Sequence, residues 1–409
     1  FREQFFLTFR HFMSPTDLLH KLSQRLNVQP GEGSSSEEQS LVRSLRPLVR
    51  VRTVAALKAW IDEFWSPDFV DARNRGPLLD FVRNISKPYA DTEEDREVEE
   101  ESSIFSRRIS VDQTYRRDSD RLPHSPVLQP PPRSPKLEFA DFEAKELAMQ
   151  LTSLEHKRFR SFHHVAPLLQ LWGDREDPII AKETKRIDDI VSSFNQISYW
   201  VATEVCTQPE LRSRARVLEK CIQLAKECRR LNNFNSTMAI VSGLNLSAVG
   251  RLKDTWEAQP KRQKNLQDLE LLLNPQHNYR AYRTTLEQVE KERPVVPAIP
   301  ILSLFLKDLF FINDGNPRYV RNDLVNFGKL RTMHSVISRM KAFQAHSYDF
   351  SASPPRVEAL EYCRNLRSLK EAALYKYSLL CEAKSGSGDT MGLRDKWIAE
   401  ASEKKKKGP

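Results

Sequence analysis

Few residues in this 409-residue chain have the spacing that bond chemistry needs. His163 and His164 are adjacent, so on a helix they would diverge by about 100° and could not share a metal ion, as an i,i+4 pair can. The five cysteines, Cys206, Cys221, Cys228, Cys363 and Cys381, include no C-x-x-C pair. Cys221 and Cys228 lie two helical turns apart, too far for a bridge, and read as buried small residues. That usage predicts a reducing compartment and neither a disulfide framework nor a zinc clasp. No G-x-x-x-x-G-K-[ST] loop and no G-x-G-x-x-G occurs, so the chain is not expected to bind a nucleotide itself. Ser385-Gly386-Ser387-Gly388 has no strand before it and reads as a linker, not a nucleophile elbow. Cofactors and metals are expected to be none.

A different chemistry is written in Ile301–Ile312, where nine of twelve residues are apolar and only Ser303, Lys307 and Asp308 are polar. A helix apolar on nearly every side must be buried all round or must offer one side to another molecule. Asp314-Gly315-Asn316-Pro317 ends it. Val320, Leu324, Phe327, Leu330, Met333, Ile337, Met340 and Phe343 follow at spacings of three and four and predict a second helix. The pair makes a helical hairpin with an apolar first arm and an acidic, polar tip. Periodicity alone also allows a core hairpin inside an α bundle.

The elements that must hold this hairpin are helical. With 12 glycines in 409 residues, a glycine-turn-rich β fold is disfavoured. Ser14-Pro15-Thr16-Asp17 is a capped helix start, with Leu18, Leu19, Leu22 and Leu26 on one face. Gly31–Ser36 reads as a loop, and Val54, Leu57, Ile61 and Phe64, with Trp60 and Trp65 alongside, as a second amphipathic helix. Further stripes are Leu147, Leu151 and Leu154; Ile187, Ile190, Phe194, Ile197 and Val201; and Leu218, Ile222 and Ala225. The predicted class is all-α. An N-terminal helical domain (1–87) leads through an acidic, Pro/Ser-rich linker (88–136) to a large irregular helical domain (137–384) and a polar, basic tail (385–409).

The linker holds eight acids in Asp91–Glu101 and six prolines in Pro123–Pro135, too little apolar content for a core. Ser110 and Ser119 follow paired arginines, and Ser125 and Ser134 precede proline, so all four are candidate phosphosites that could switch docking between the flanking domains. The net charge of +9 is spread among charges of both signs, the pattern of solvated helix faces. No apolar stretch reaches the roughly 20 residues of a spanning helix. The chain opens on Phe1 without a signal-peptide pattern and reads as a segment of a longer protein. A cytoplasmic location is expected.

Several long motifs, in order, resemble the catalytic domain of Ras-family guanine nucleotide exchange factors. They are Phe194–Val205, Arg214–Asn235 with its Asn232-Asn233 pair, Ala239–Asn245, Arg251–Trp256, Asn278–Tyr282, Leu306–Pro317 and Leu324–Arg331. Phe6–Leu19 with Leu57–Trp65 is similar to the Ras exchanger motif domain that precedes it in the family. The resemblance covers the chain except linker and tail.

The resemblance implies a hairpin that projects and wedges between the switch regions of a GTPase. Phe310 then takes the place of the tip residue that enters the magnesium site, and Asp314 that of the acid competing with phosphate. Asn232 matches the residue that braces the hairpin. Ala225 and Tyr279 match positions in the surface that grips the second switch, and Thr332 lies where a basic residue often reaches the first. Leu306, Leu309 and Asn316 belong to the matched contact segment. The implied partner is a Ras-family small GTPase, Ras or Rap, held as its nucleotide-free intermediate. A second GTPase at the interdomain surface and transient membrane recruitment are further expectations.

Two departures stand out: Ser303 where the family usually has Gly, and a bulky Phe310 at the tip. They motivate an alternative, a GTPase-binding scaffold of the same fold that does not catalyse exchange, and Asn232 could simply cap or crosslink helices. A basic helical nucleic-acid binder is a weaker reading, because no basic stretch is interleaved with aromatics.

Overall fold

A computed structural model describes residues 1–64, 68–69, 72–85, 137–321, 323–351, 354, 356–383 and 397–399, without the side chains of 72 and 260–263. The linker 88–136 with Ser110, Ser119, Ser125 and Ser134, Trp65, and nearly all of the tail 385–409 lie outside the described residues.

The described chain is helical almost throughout. In order come α1 (Arg2–Thr8), α2 (Pro15–Leu26), α3 (Ser36–Phe64), α4 (Ala72–Ile85), α5 (Ala144–Phe159), α6 (Ala166–Trp172), α7 (Pro178–Cys206), α8 (Leu211–Arg230) and α9 (Phe234–Leu244). The short α10 (Ser247–Gly250) and α11 (Lys253–Glu257) precede α12 (Pro260–Leu272), α13 (Gln276–Lys291) and α14 (Leu302–Asp314). After β1 (Tyr319–Val320) and β2 (Leu324–Val325) follow α15 (Phe327–Ala345), α16 (Val357–Arg364) and α17 (Glu371–Cys381). The antiparallel pair β1–β2 corrects one expectation: Val320 and Leu324 are not helical but face each other across this ribbon. Partners four residues apart across a tight turn mimic a helical i,i+4 step. The turn residue Arg321 has φ 50°, a left-handed value that a right-handed helix cannot contain.

The chain forms two compact units. One comprises the described residues of Phe1–Pro130 together with Val165–Thr184 and Leu309–Ser335; the other comprises those of Pro131–His164, Lys185–Asp308 and Val336–Pro409. The end of α14, the β ribbon and the start of α15 fall in the first of these units.

In the first unit α2 starts as its sequence dictates. The Asp17 amide donates to Ser14 Oγ at 3.1 Å, and the Ser14 amide to Asp17 Oδ2 at 3.2 Å, a reciprocal cap. The Ser14 hydroxyl, donating to Asp17 Oδ2 at 2.6 Å, and then the Ser14 amide hold the Asp17 carboxyl below the usual carboxylate range. Phe6, Phe9, Trp60, Phe64 and Phe69 form an aromatic core, with Phe9 edge-on to Trp60 at 5.3 Å. The buried Asp68 is satisfied by Trp60 Nε1 at 2.7 Å and by an ion pair with Arg10.

In the second unit Trp200, Leu218, Ile222, Phe234 and Ile240 are fully or almost fully buried. Buried Glu155 crosslinks three helices by accepting from Ser193 Oγ at 2.7 Å, Arg158 Nη1 at 2.6 Å and Asn235 Nδ2 at 3.2 Å. His163 and His164 lie in a turn after α5, with ring centroids 4.1 Å apart.

Candidate functional site

The last two turns of α14 carry the unusual surface. Leu302, Leu304, Phe305 and Leu309 face inward and are buried, and Leu306 is half-buried. Phe310 and Phe311 face outward, 53% and 57% exposed, with rings edge to face at 5.9 Å. Two adjacent phenylalanines held in water lose free energy that burial against another molecule would recover, roughly 1.5 to 3 kcal/mol per ring. Phe311 was not singled out from the sequence, although it stood in the same apolar run.

The helix ends within one turn of these rings. Gly315 N donates to Phe311 O at 2.9 Å and Asn316 Nδ2 to Ile312 O at 2.9 Å, so both close orphan carbonyls at the C-terminus. A Cβ at Gly315 would come within 3.0 Å of Phe311 O, which explains glycine there. Asp314 is exposed, directly after the ring-bearing turn. The returning chain is fastened by Asn326. Its Nδ2 donates to Pro317 O at 3.1 Å, and its Oδ1 caps α15 by accepting from Lys329 N at 3.1 Å.

Behind the tip lies a cluster that sequence reasoning missed. Lys329, 5% exposed, donates from Nζ to Asn313 O at 2.9 Å and Asn316 O at 3.0 Å. Burial lowers its pKa, Arg318 adds to the fall and Asp314 opposes it. Trp172 Nε1 donates to Asn313 Oδ1 at 2.9 Å, and the His11 ring packs on Trp172 at 4.5 Å. His11 is pulled down to about 4, chiefly by burial and then by the Lys329 and Arg318 charges, and its buried Nε2 has no hydrogen-bond partner among the described residues. Phe1 and Phe12 pack on Phe327, at 5.9 and 6.0 Å. These links join segments far apart in sequence, and no local pattern announces them.

The remaining site residues lie in the second unit. Asn232 ends α8 in the left-handed region, φ 53°, where Asn is tolerated. Its carbonyl accepts from Ile299 N at 3.0 Å, Phe234 N donates to Ile299 O at 2.9 Å, and Asn232 Oδ1 accepts from Arg229 Nη1 at 3.2 Å. The main chain of Asn232 is thus paired with the segment that leads into α14. Tyr282 adds a second anchor, its hydroxyl accepting from Ile301 N at 2.9 Å. Asn233 is the N-cap of α9, accepting from Ser236 N at 3.0 Å.

Helix α13 is broken near its start: Tyr279 is half-buried at the end of three consecutive left-handed residues, with φ of 52°, 56° and 59° at His277, Asn278 and Tyr279, after which the right-handed helix runs on. Such a run costs roughly 1 to 2 kcal/mol per residue and persists only where its surroundings enforce it. Arg283 supplies that restraint, donating from Nε to Asn278 O at 2.8 Å and through both terminal nitrogens to Asp308 at 2.8 Å each.

Ala225 is fully buried, on the α8 face that also buries Leu218, Cys221, Ile222 and Cys228. Leu309 is fully buried as well, on the inner side of α14. Thr332 is exposed, its hydroxyl donating to Gly328 O at 3.2 Å. Ser303 is exposed on the first turn of α14. Among the described residues no group of three or more His, Cys, Asp or Glu could hold a metal ion, and no helix is long and apolar enough to cross a membrane.

These features define a largely helical protein with two outward phenylalanines, Phe310 and Phe311, at the acidic end of α14. The RasGEF domain family matches residues 146–331 and the RasGEF N-terminal motif matches residues 1–85, and the chain belongs to the RasGEF family. Ras guanine nucleotide exchange factor J of Dictyostelium discoideum is 30% identical over 396 residues, covering 94% of this chain and 46% of that protein. Factor I of the same organism is 28% identical over 395 residues, covering 94% and 44%. Ras-specific guanine nucleotide-releasing factor 1 of Mus musculus is 34% identical over 251 residues, covering 60% and 19%. The chain spans less than half the length of each of these relatives.

Proposed function

We propose that this chain is a guanine nucleotide exchange factor that accelerates GDP release from a Ras-family small GTPase, Ras or Rap. The observation that carries the reading is the outward pair Phe310 and Phe311, held within one turn of Asp314 on a helix whose other apolar side chains are buried or half-buried. Membership of the RasGEF family supports it.

The task needs no bond made or broken. A GTPase that holds nucleotide at picomolar affinity carries about 16 kcal/mol of binding free energy, and release is slow for that reason. A protein that binds the nucleotide-free form tightly stabilises the intermediate. A roughly 10⁵-fold acceleration requires about 7 kcal/mol. Burying Phe310 and Phe311 would contribute about 1.5 to 3 kcal/mol each before the costs of association. Asp314 would repel phosphate and offer a rival acceptor to the groups that hold it. Asn232 would brace the base, and Tyr279, Leu306, Asn316 and Thr332 would add contacts around it. By linkage, incoming GTP expels the exchange factor in turn. The work would be done in the cytoplasm, at a membrane only on recruitment.

The test loads Ras, Rap, Ral and Rho proteins with fluorescent GDP and records release with the chain present. Acceleration on a Ras or Rap protein, lost in Asp314→Ala, supports the reading. Binding without release on every member would contradict it.

A further inference from the structure

A buried lysine on the first turn of α15 supports the acidic tip from behind. A lysine 5% exposed must have its ammonium hydrogen-bonded to offset its lost hydration. Lys329 Nζ meets that need on two main-chain carbonyls, Asn313 O at 2.9 Å and Asn316 O at 3.0 Å. These carbonyls bracket Asp314 and Gly315. They lie where the ending helix leaves acceptors unfilled and concentrates partial negative charge, the natural seat for a cation. Asn313 is held a second time, through its side chain, by Trp172 Nε1 at 2.9 Å. The residue before Asp314 is therefore fixed by main chain and side chain, and the residue after Gly315 by main chain. Asp314 itself remains exposed.

We propose that Lys329 is a positioning residue for nucleotide release: by clamping the carbonyls of Asn313 and Asn316 it fixes the backbone on both sides of Asp314 and so sets where the carboxylate and the Phe310 and Phe311 rings are presented to the GTPase. The proposal rests on the exchange reading given above. It differs from a purely structural role in its kinetic signature. A displaced tip still touches the GTPase, but it no longer reaches the geometry in which phosphate is displaced, and misplacement by about 1 Å can cost on the order of 10²-fold in rate.

The test uses the whole chain with Lys329→Met, which keeps the apolar stem and removes the donors, and Lys329→Arg, which keeps charge and donors. Two readouts are taken. The first is amide hydrogen–deuterium exchange without any GTPase. In K329M the amides of residues 313–316 and 318 exchange roughly tenfold faster or more, a loss of about 1.4 kcal/mol of local protection, while those of α8 are unchanged. The second is GDP release against chain concentration. In K329M the maximal rate falls by about 10- to 100-fold with the half-saturating concentration within about threefold, and K329R restores most of the rate.

Wild-type protection and maximal rate in K329M overturn the proposal. So does a loss confined to half-saturation, or equal impairment of K329M and K329R. Should K329M fail to fold, Lys329→Gln, which keeps one amide donor group, is held to the same criteria. If the wild-type chain releases nucleotide from no GTPase, the exchange reading fails and takes the kinetic arm with it. The amide-exchange arm still decides whether Lys329 orders the tip.

Discussion

Leu309 and Phe310 are consecutive in α14 and face opposite ways, the first fully buried and the second 53% exposed. One helical step thus separates a residue that holds the fold from one that faces outward. Leu309→Ala leaves a cavity and lowers stability by about 2 to 5 kcal/mol. Phe310→Ala changes stability by about 0.5 kcal/mol or less. Chemical denaturation resolves the two, and only the second variant is expected to lose GDP release with its fold intact.

Arg283 ties the left-handed run 277–279 to Asp308 on α14. Both side chains are about one quarter exposed, and the pair is bidentate at 2.8 Å. Arg283→Ala removes that pair and the bond to Asn278 O, for a cost of about 1 to 3 kcal/mol. Arg283→Lys recovers only part, because an ammonium cannot make the two parallel bonds. Thermal melts of the single variants and the Arg283→Ala/Asp308→Ala double variant measure the coupling.

His11 predicts a pH dependence. Its folded-state pKa, about 4, lies below the ordinary value of 6.5, so the unfolded chain takes up the proton first as pH falls. The stability it contributes is whole above about 6.5 and is lost towards pH 4. The ceiling is about 3 kcal/mol, reduced by solvent at this partly exposed ring. His11→Gln removes the group that Lys329 and Arg318 oppose. The stability difference between wild type and H11Q therefore narrows between pH 6.5 and 4, and a series of denaturant melts reads it directly.

The cysteines give a prediction of a different kind. All five are free and buried, and burial pushes the Cys206 and Cys363 thiols up to about 12. A thiol that seldom ionises and is not reached by solvent reacts slowly. Native protein is expected to show almost no labelling by a thiol reagent over minutes, and all five sites on adding denaturant.

Much of this architecture is legible in local sequence. The Ser14–Asp17 cap lies within one helical turn, so its pattern and its hydrogen bonds coincide. The hairpin's apolar arm and its Asp314–Pro317 stop were also evident. The face that the arm exposes was not, because a helix apolar on nearly all sides has no periodicity to tell Leu309 from Phe310. Val320 and Leu324 were misread because cross-strand partners around a tight turn share the helical interval. Motif resemblance aligns Ala225 but says nothing of its burial, which depends on the helices packed around α8. The Lys329, Trp172 and Asn313 cluster was invisible, since Trp172 and Asn313 are 141 residues apart and meet only in the folded chain.

The most direct measurement follows fluorescent GDP leaving Ras- and Rap-type GTPases in stopped flow, with the wild-type chain and with Phe310→Ala. The account predicts acceleration of release from a Ras or Rap protein by orders of magnitude, no effect on a Rho-type control, and a clear loss in F310A at unchanged stability. Release from all of them at the intrinsic rate, or equal acceleration by F310A, would contradict it.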